Sequence, residues 1–202
     1  MSRAALLLLL LTACAGARPQ TRTEDAKPQP PVPSATVATP EPPRPPFRSA
    51  EGGFSVQLPS APRVEQAEQA TGTGDVLTHT FTSSDPTETT AYFVSYTDFP
   101  DEALAQTTPE RLLESAARAG AESLGTEEVS VSPLTLAGFP GQEVHARAEG
   151  RELRGRVYLV GHRLYQQLLL HPVGAPPSDA ERYFSSFTLD PQVTRTLVPP
   201  GT

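Results

Sequence analysis

The chain has 202 residues, a net charge of −7, 37% hydrophobic and 19% charged residues, 23 prolines and a single cysteine. That length allows one domain core, and the 10 prolines within residues 19–46 remove that stretch from the part able to fold. Trp, Asn and Ile are absent, and the only lysine, Lys27, lies in the proline-rich stretch. The foldable part therefore offers no lysine for a Schiff base, a phosphate-gripping loop or a Ser-x-x-Lys acylase site.

Arg3 precedes an unbroken apolar run of eight residues, 4–11. A bilayer-crossing helix needs about 20 such residues, whereas roughly 7 to 15 beside small residues mark a secretory signal. The run ends in Leu11-Thr12-Ala13-Cys14, which resembles the lipobox of bacterial lipoproteins at all four positions. The resemblance implies that residues 1–13 are a lipoprotein signal peptide. It also implies that Cys14 carries a diacylglycerol thioether and further acyl chains of the palmitate type, with membrane lipid as a partner. Several acyl chains, each contributing about 0.8 kcal/mol per buried methylene, anchor a chain stably where one does not. Ala15 after the cysteine implies sorting to the outer membrane, facing the periplasm. The alternative is an ordinary signal cut after Ala17, which discards Cys14. Either cut leaves no mature thiol for disulfides, thiolate catalysis, Cys-rich zinc sites or iron–sulfur clusters.

Residues 14–47 read as the lipidated cysteine and a Pro-rich, disordered tether, because no apolar periodicity is present to offset the entropy of ordering. At about 3.1 Å per residue in polyproline form, residues 19–46 reach up to roughly 90 Å. The foldable part is expected over residues 48–190, a length at which roughly 68% of the unfolded surface is buried. Apolar alternation predicts strands over residues 54–58, 64–70, 76–83 and 89–98, an opening β-meander. Thr108-Pro109-Glu110 is a helix start with cap, first-turn proline and a dipole-favoured carboxylate. Leu113, Ala117 and Leu124 share a side, and Gly125 is a stop. Four more strands follow over residues 127–136, 141–149, 151–160 and 163–171, jointed at Gly138, Gly150 and Gly161. Ser178 and Glu181 read as a capping box opening a short helix that carries Tyr183, Phe184 and Phe187. Residues 191–202 are expected to be a disordered, fraying tail. Strands, a long helix, strands and a terminal helix make an α+β protein with an antiparallel sheet flanked by helices.

Several segments together carry a second resemblance: Gly53-Phe54-Ser55-Val56-Gln57-Leu58-Pro59, Gly138-Phe139-Pro140-Gly141-Gln142-Glu143, Arg156-Val157-Tyr158, Arg163-Leu164-Tyr165-Gln166, and the run from Ala180 to Phe187. They are similar to bacterial envelope proteins of the PsbP-like fold. The resemblance implies an α/β/α sandwich, and proteins that serve as extrinsic subunits, assembly factors or binding proteins rather than enzymes. None of that family's metal-binding or docking residues matches a position here, so no site is implied.

The remaining residues offer little that could carry chemistry. His79, His145, His162 and His171 form no His-x-x-x-His pair, although Glu143 and His145 share a strand face. No Gly-x-Ser-x-Gly elbow exists; Ser55 falls inside a strand, and Ser185 and Ser186 end the last helix. The acidic run from Asp98 to Glu102 lacks the spacing and glycine of a calcium loop and reads as a solvated loop. No metal and no cofactor is expected. Residues 48–190 hold 10 arginines against 20 acidic residues, near −10, the wrong sign for nucleic acid. The local exception is Arg147, Arg151, Arg154 and Arg156 with Glu149 and Glu152 interleaved. Two-residue spacing places Arg154 and Arg156 on one face, where they are a candidate contact for an anion or a partner, or else pair across strands with glutamates. The sequence thus favours a lipid-anchored envelope protein that binds or assembles another envelope protein or a cell-wall component. Two alternatives stay open: a hydrolase with a dispersed carboxylate and histidine site, and a small-ligand carrier.

Overall fold

The computed structural model describes residues 44–71, 74–122, 124–125, 128–148 and 150–198. The expected signal peptide, Leu11, Thr12, Ala13, Cys14 and most of the expected tether lie outside the described residues. In chain order the elements are β1 (Phe47–Ser49), β2 (Phe54–Val56), β3 (Arg63–Thr71), β4 (Gly74–Ser84) and β5 (Ala91–Asp98). Then come α1 (Asp101–Leu104), α2 (Pro109–Glu122), β6 (Val129–Leu136), β7 (Phe139–Ala148), β8 (Arg151–Val160) and β9 (Arg163–Pro172). The last are α3 (Ala180–Ser185), β10 (Thr188–Leu189) and α4 (Pro191–Leu197).

A seven-stranded antiparallel sheet runs in the order β3-β4-β5-β9-β8-β7-β6. It is two meanders, β3 to β5 and β6 to β9, closed by pairing of the last strand of each, with Tyr96 opposite Tyr165. The α+β class expected from the sequence is what the chain adopts. The joints between strands are short because the turns carry the right residues. Ala137 and Gly138 both have positive φ, 51° and 89°, the pattern of the two-residue hairpin turn whose twist matches its strands.

Strand alternation sends two kinds of side chain to two faces. Leu153, Val157 and Leu159 of β8, Leu164 of β9 and Val144 of β7 make an aliphatic face, covered by Leu113, Ala117 and Ala121 of α2. Thr108 caps that helix, its Oγ1 accepting from the Arg111 amide at 3.3 Å. The other face is aromatic. Tyr92 and Tyr96 of β5, Tyr158 of β8 and Tyr165 of β9 meet Phe54, Tyr183, Phe184 and Phe187. Phe54 holds Phe81 and Phe187 at ring distances of 5.3 and 5.5 Å, geometry that adds about 0.5–1.5 kcal/mol per pair beyond area burial. The cover on this side is a small sheet, β1-β2-β10, with α3 and α4.

Four expectations are corrected. The strand at Phe54 does not open the meander; it pairs with β1 and β10 in the separate small sheet, because its two buried residues, Phe54 and Val56, are needed as cover for the aromatic face. The acidic run after Asp98 forms the single-turn helix α1, whose Ala103 is buried. The capping box does not form. Asp179 precedes α3 without a side-chain cap; its Oδ1 accepts from the Tyr92 hydroxyl at 2.6 Å, and Glu181 pairs with Arg154. The expected disordered tail contains α4. Asp190 accepts from the Gln192 amide at 2.7 Å, Pro191 takes the first turn, and Leu197 is buried. The helix docks where two residues lack a Cβ. A methyl group on Gly53 would lie 2.4 Å from Val193, and one on Gly161 would lie 2.2 Å from the Leu197 carbonyl oxygen.

Candidate functional site

Arg154 and Arg156 lie on the aromatic face of β8, as two-residue spacing dictates, and β7 brings Glu143 directly opposite Arg156. Glu143 Oε1 accepts from Arg154 Nε and Nη2 at 3.2 and 3.0 Å and from Arg156 Nε at 3.2 Å. Arg154 Nη1 also pairs with Glu181 of α3. Both guanidinium groups stand over the Phe184 ring, 4.7 and 5.0 Å from its centroid. Burial pushes the Glu143 carboxyl up, but hydrogen bonds from Arg154 and Arg156 and their charges outweigh it, so it titrates below the ordinary glutamate range. Glu181, held by the Arg154 hydrogen bond and charge, is lowered too. Two arginines and two glutamates cancel, and the cluster ties α3 to the sheet. Glu181 is its replaceable member, with a side chain 77% exposed against 23% for Glu143. His145 joins at the rim, 3.7 Å from Glu143 Oε2.

A second cluster, which no run of sequence brings together, gathers at the junction of β4, β5 and β9. Register places His79 opposite Tyr96, and the rings stack at 4.4 Å and 9°. Arg163, opposite Asp98 on β5, lies over the same tyrosine ring at 4.5 Å. It donates to both Asp98 oxygens at 2.6 and 2.7 Å and to the Glu51 carbonyl at 2.8 Å. Tyr165 donates to the Gly52 carbonyl at 2.7 Å. The turn between β1 and β2 is thereby pinned over the sheet, with the Glu51 carboxylate 3.9 Å from His79 Nε2. The Tyr96 hydroxyl is buried without a hydrogen-bond partner. Burial and the Glu51 charge push its pKa up to about 12, so it stays a neutral phenol. Only strand pairing makes this group; His79 and Arg163 are 84 positions apart in the sequence.

The other residues singled out from sequence meet at most in pairs and share no common site. Ser55 Oγ hydrogen-bonds Thr188 Oγ1 at 2.7 Å, and Ser186 Oγ donates to the Tyr183 carbonyl at 2.8 Å. His171 is buried in β9, its Nδ1 2.9 Å from the Pro172 carbonyl. His162 reaches Asp98 at 3.8 Å. Arg147 pairs with Glu152 at 3.4 Å, and Arg151 donates to the Thr89 carbonyl at 2.8 Å. Among the described residues no three His, Cys, Asp or Glu side chains come together so as to hold a metal ion.

The surface between and beyond these clusters is uneven. A groove of about 450 Å³ runs beside His145, Arg147, Glu152 and Ser130, and a more apolar one of about 230 Å³ lies between α1 and α2 at Phe99, Leu104 and Leu112. At the far edge of the sheet every described side chain of β3 from Arg63 to Glu68 is exposed. Successive residues of a strand point to opposite faces, so both faces of β3 are open. Val64, 54% exposed, and Leu77, 41% exposed, lie on one of them. Among the described residues no helix is long and apolar enough to cross a membrane.

No family model matches the chain, and no curated protein matches it by sequence. Among solved structures it is similar to the solution structure of cyanobacterial PsbP (CyanoP) from Synechocystis sp. PCC 6803, at 11% identity and a TM-score of 0.47, over 71% of this chain and 91% of that one.

Proposed function

We propose that this is a lipid-anchored protein of the cell envelope, held through acylated Cys14 at the outer membrane facing the periplasm, whose folded domain works by contact with another envelope component rather than by turning over a substrate. The single observation that carries the contact reading is the open β3 edge. It is nine residues long and exposed on both faces from Arg63 to Glu68. A strand edge presents a row of backbone donors and acceptors ready to pair. The charged side chains of the best-formed clusters favour the same reading, because Arg154, Arg156 and Arg163 are engaged by Glu143, Glu181 and Asp98 rather than directed at a common cavity. Arg154 is a second contact candidate, since an acidic group of a partner can replace exposed Glu181. The net charge near −10 over residues 48–190 directs the domain away from nucleic acid.

Two measurements test this. Labelled palmitate should enter the wild-type chain and not Cys14→Ala, and equal label in both overturns the anchor. A photo-crosslinking residue at Val64, in living cells, should give discrete adducts that the same residue at exposed Glu88 does not. Identical patterns from the two positions overturn the contact reading.

A further inference from the structure

The β3 edge fits one occupant better than others by its own sequence. It is regular, pairing with β4 residue by residue from Arg63–Thr82 to Thr71–Gly74 without a bulge, and its only neighbouring proline, Pro62, precedes it. The opposite edge of the sheet is blunted: β6 carries Pro133 in its middle, which has no N–H to donate, and α2 lies against its β7 side. Natural sheets protect long edges with charges and prolines, and β3 has charges alone. Their spacing selects what can pair with it.

From this we infer that β3 pairs antiparallel with β3 of a second copy of this chain, with Ala67 on the two-fold axis. The inference rests on the contact reading above and names its partner. A two-fold axis relating antiparallel neighbours in one sheet is perpendicular to that sheet and keeps each residue on its own face, so the axis must pass through a residue position. With Ala67 opposite Ala67, Gln66 stands opposite Glu68, and Glu65 opposite Gln69. Every glutamate then meets an amide, and all nine residues of β3 are paired. Moving the axis to Glu65 or Glu68 sets a carboxylate directly opposite its own copy, which is destabilising. Moving it to Gln66 sets Val64 against Glu68. The Ala67 register alone satisfies the charges while using the whole strand, and it joins two seven-stranded sheets into one.

The register makes a sharp test. Directly opposed residues of antiparallel strands have Cα atoms about 4.5–5.5 Å apart, inside the roughly 4.4–6.8 Å that a disulfide spans. Three residues from the axis, at about 3.4 Å per residue, two copies of residue 64 are roughly 20 Å apart. The experiment uses the full chain with Cys14→Ser, so that each introduced cysteine is the only one. Under mild oxidation Ala67→Cys should form a disulfide-linked homodimer at least tenfold faster than Val64→Cys or Glu88→Cys. Sedimentation of the cysteine-free chain should show a concentration-dependent dimer that Gln66→Pro abolishes, since strand alternation from the Thr71–Gly74 pair turns the Gln66 N–H to the open edge and leaves the bonds to β4 intact. Equal rates at the three positions, faster linkage at Val64→Cys, a monomer at all concentrations, or Ala67→Cys linked to a different protein would each overturn self-pairing. If these fail while the Val64 probe still gives its specific adducts in cells, the contact reading stands and only the second copy is lost as its occupant. Loss of both results removes the contact reading as well.

Discussion

The two ends of the sheet are built from similar strands and finished differently. At the β6–β8 end, α2 covers one face with Leu113, Ala117 and Ala121, and on the other Arg154 and Arg156 are drawn down onto Phe184 by Glu143. At the β3–β4 end, Arg63, Glu65 and Glu68 stand in solvent on both faces, and the ion pair of Arg63 with Glu65 joins side chains 77% and 51% exposed. Composition does not make this difference, since both ends carry arginines and glutamates. What differs is whether another element lies within reach. A glutamate opposite two arginines beneath a helix becomes part of the fold, and a glutamate on an uncovered edge remains available to something outside it.

The contrast can be broken most severely at its common centre. Phe54 is 2% exposed and links the small sheet to Phe81, Tyr165 and Phe187; Phe54→Ala should cost about 4 kcal/mol in a urea titration, loosening the cover over the whole aromatic face. A loss under about 1 kcal/mol would mean that the small sheet is not part of the core. At the finished end, Glu143→Ala leaves two half-buried guanidinium groups side by side and should cost about 2 kcal/mol. Gly161→Ala, whose methyl group meets the α4 backbone, should expose α4 to proteolysis while the main sheet persists. At the open end, Val64→Ser should stay within about 0.5 kcal/mol of wild type in stability while weakening association.

Acid titration sharpens the same comparison. Glu143 holds its proton more weakly in the folded chain than unfolded, so unfolding takes up a proton at low pH. Its contribution is complete above the unfolded value of about 4.3 and is lost as the pH falls through the lower folded value. Wild type should therefore lose stability over that window more steeply than Glu143→Gln. Parallel curves would show that the arginine pair does not depend on this carboxylate.

Local signals were legible in the sequence and tertiary ones were not. Thr108-Pro109-Glu110 marked α2 because a helix start depends on a few adjacent residues, and the glycine-jointed run from β6 to β9 was readable because its turns are two residues long. The closure of β5 onto β9 depends on chain separated by α1, α2 and three strands, so alternation alone could not reveal it. For the same reason Arg154 and Arg156 were visible as one face, whereas Glu143 as their shared acceptor needed the β7–β8 register. His79 stacked on Tyr96 needed the β4–β5 register. The miss at α4 is different in kind: Asp190-Pro191 is a cap followed by a first-turn proline, a signal present in the sequence but outweighed there by how little the tail has to pack.

The most direct test of the central claim is residue-by-residue amide hydrogen exchange along β3, in the full chain with Cys14→Ser, at high dilution and again when concentrated. Amides of β8 and β9 should be protected under both conditions, while the outward-facing amides of β3 exchange freely when dilute and become protected when concentrated. Protection of the whole of β3 at high dilution would show that the edge is already covered within one chain, and free exchange at every concentration would show that a second copy does not bind there.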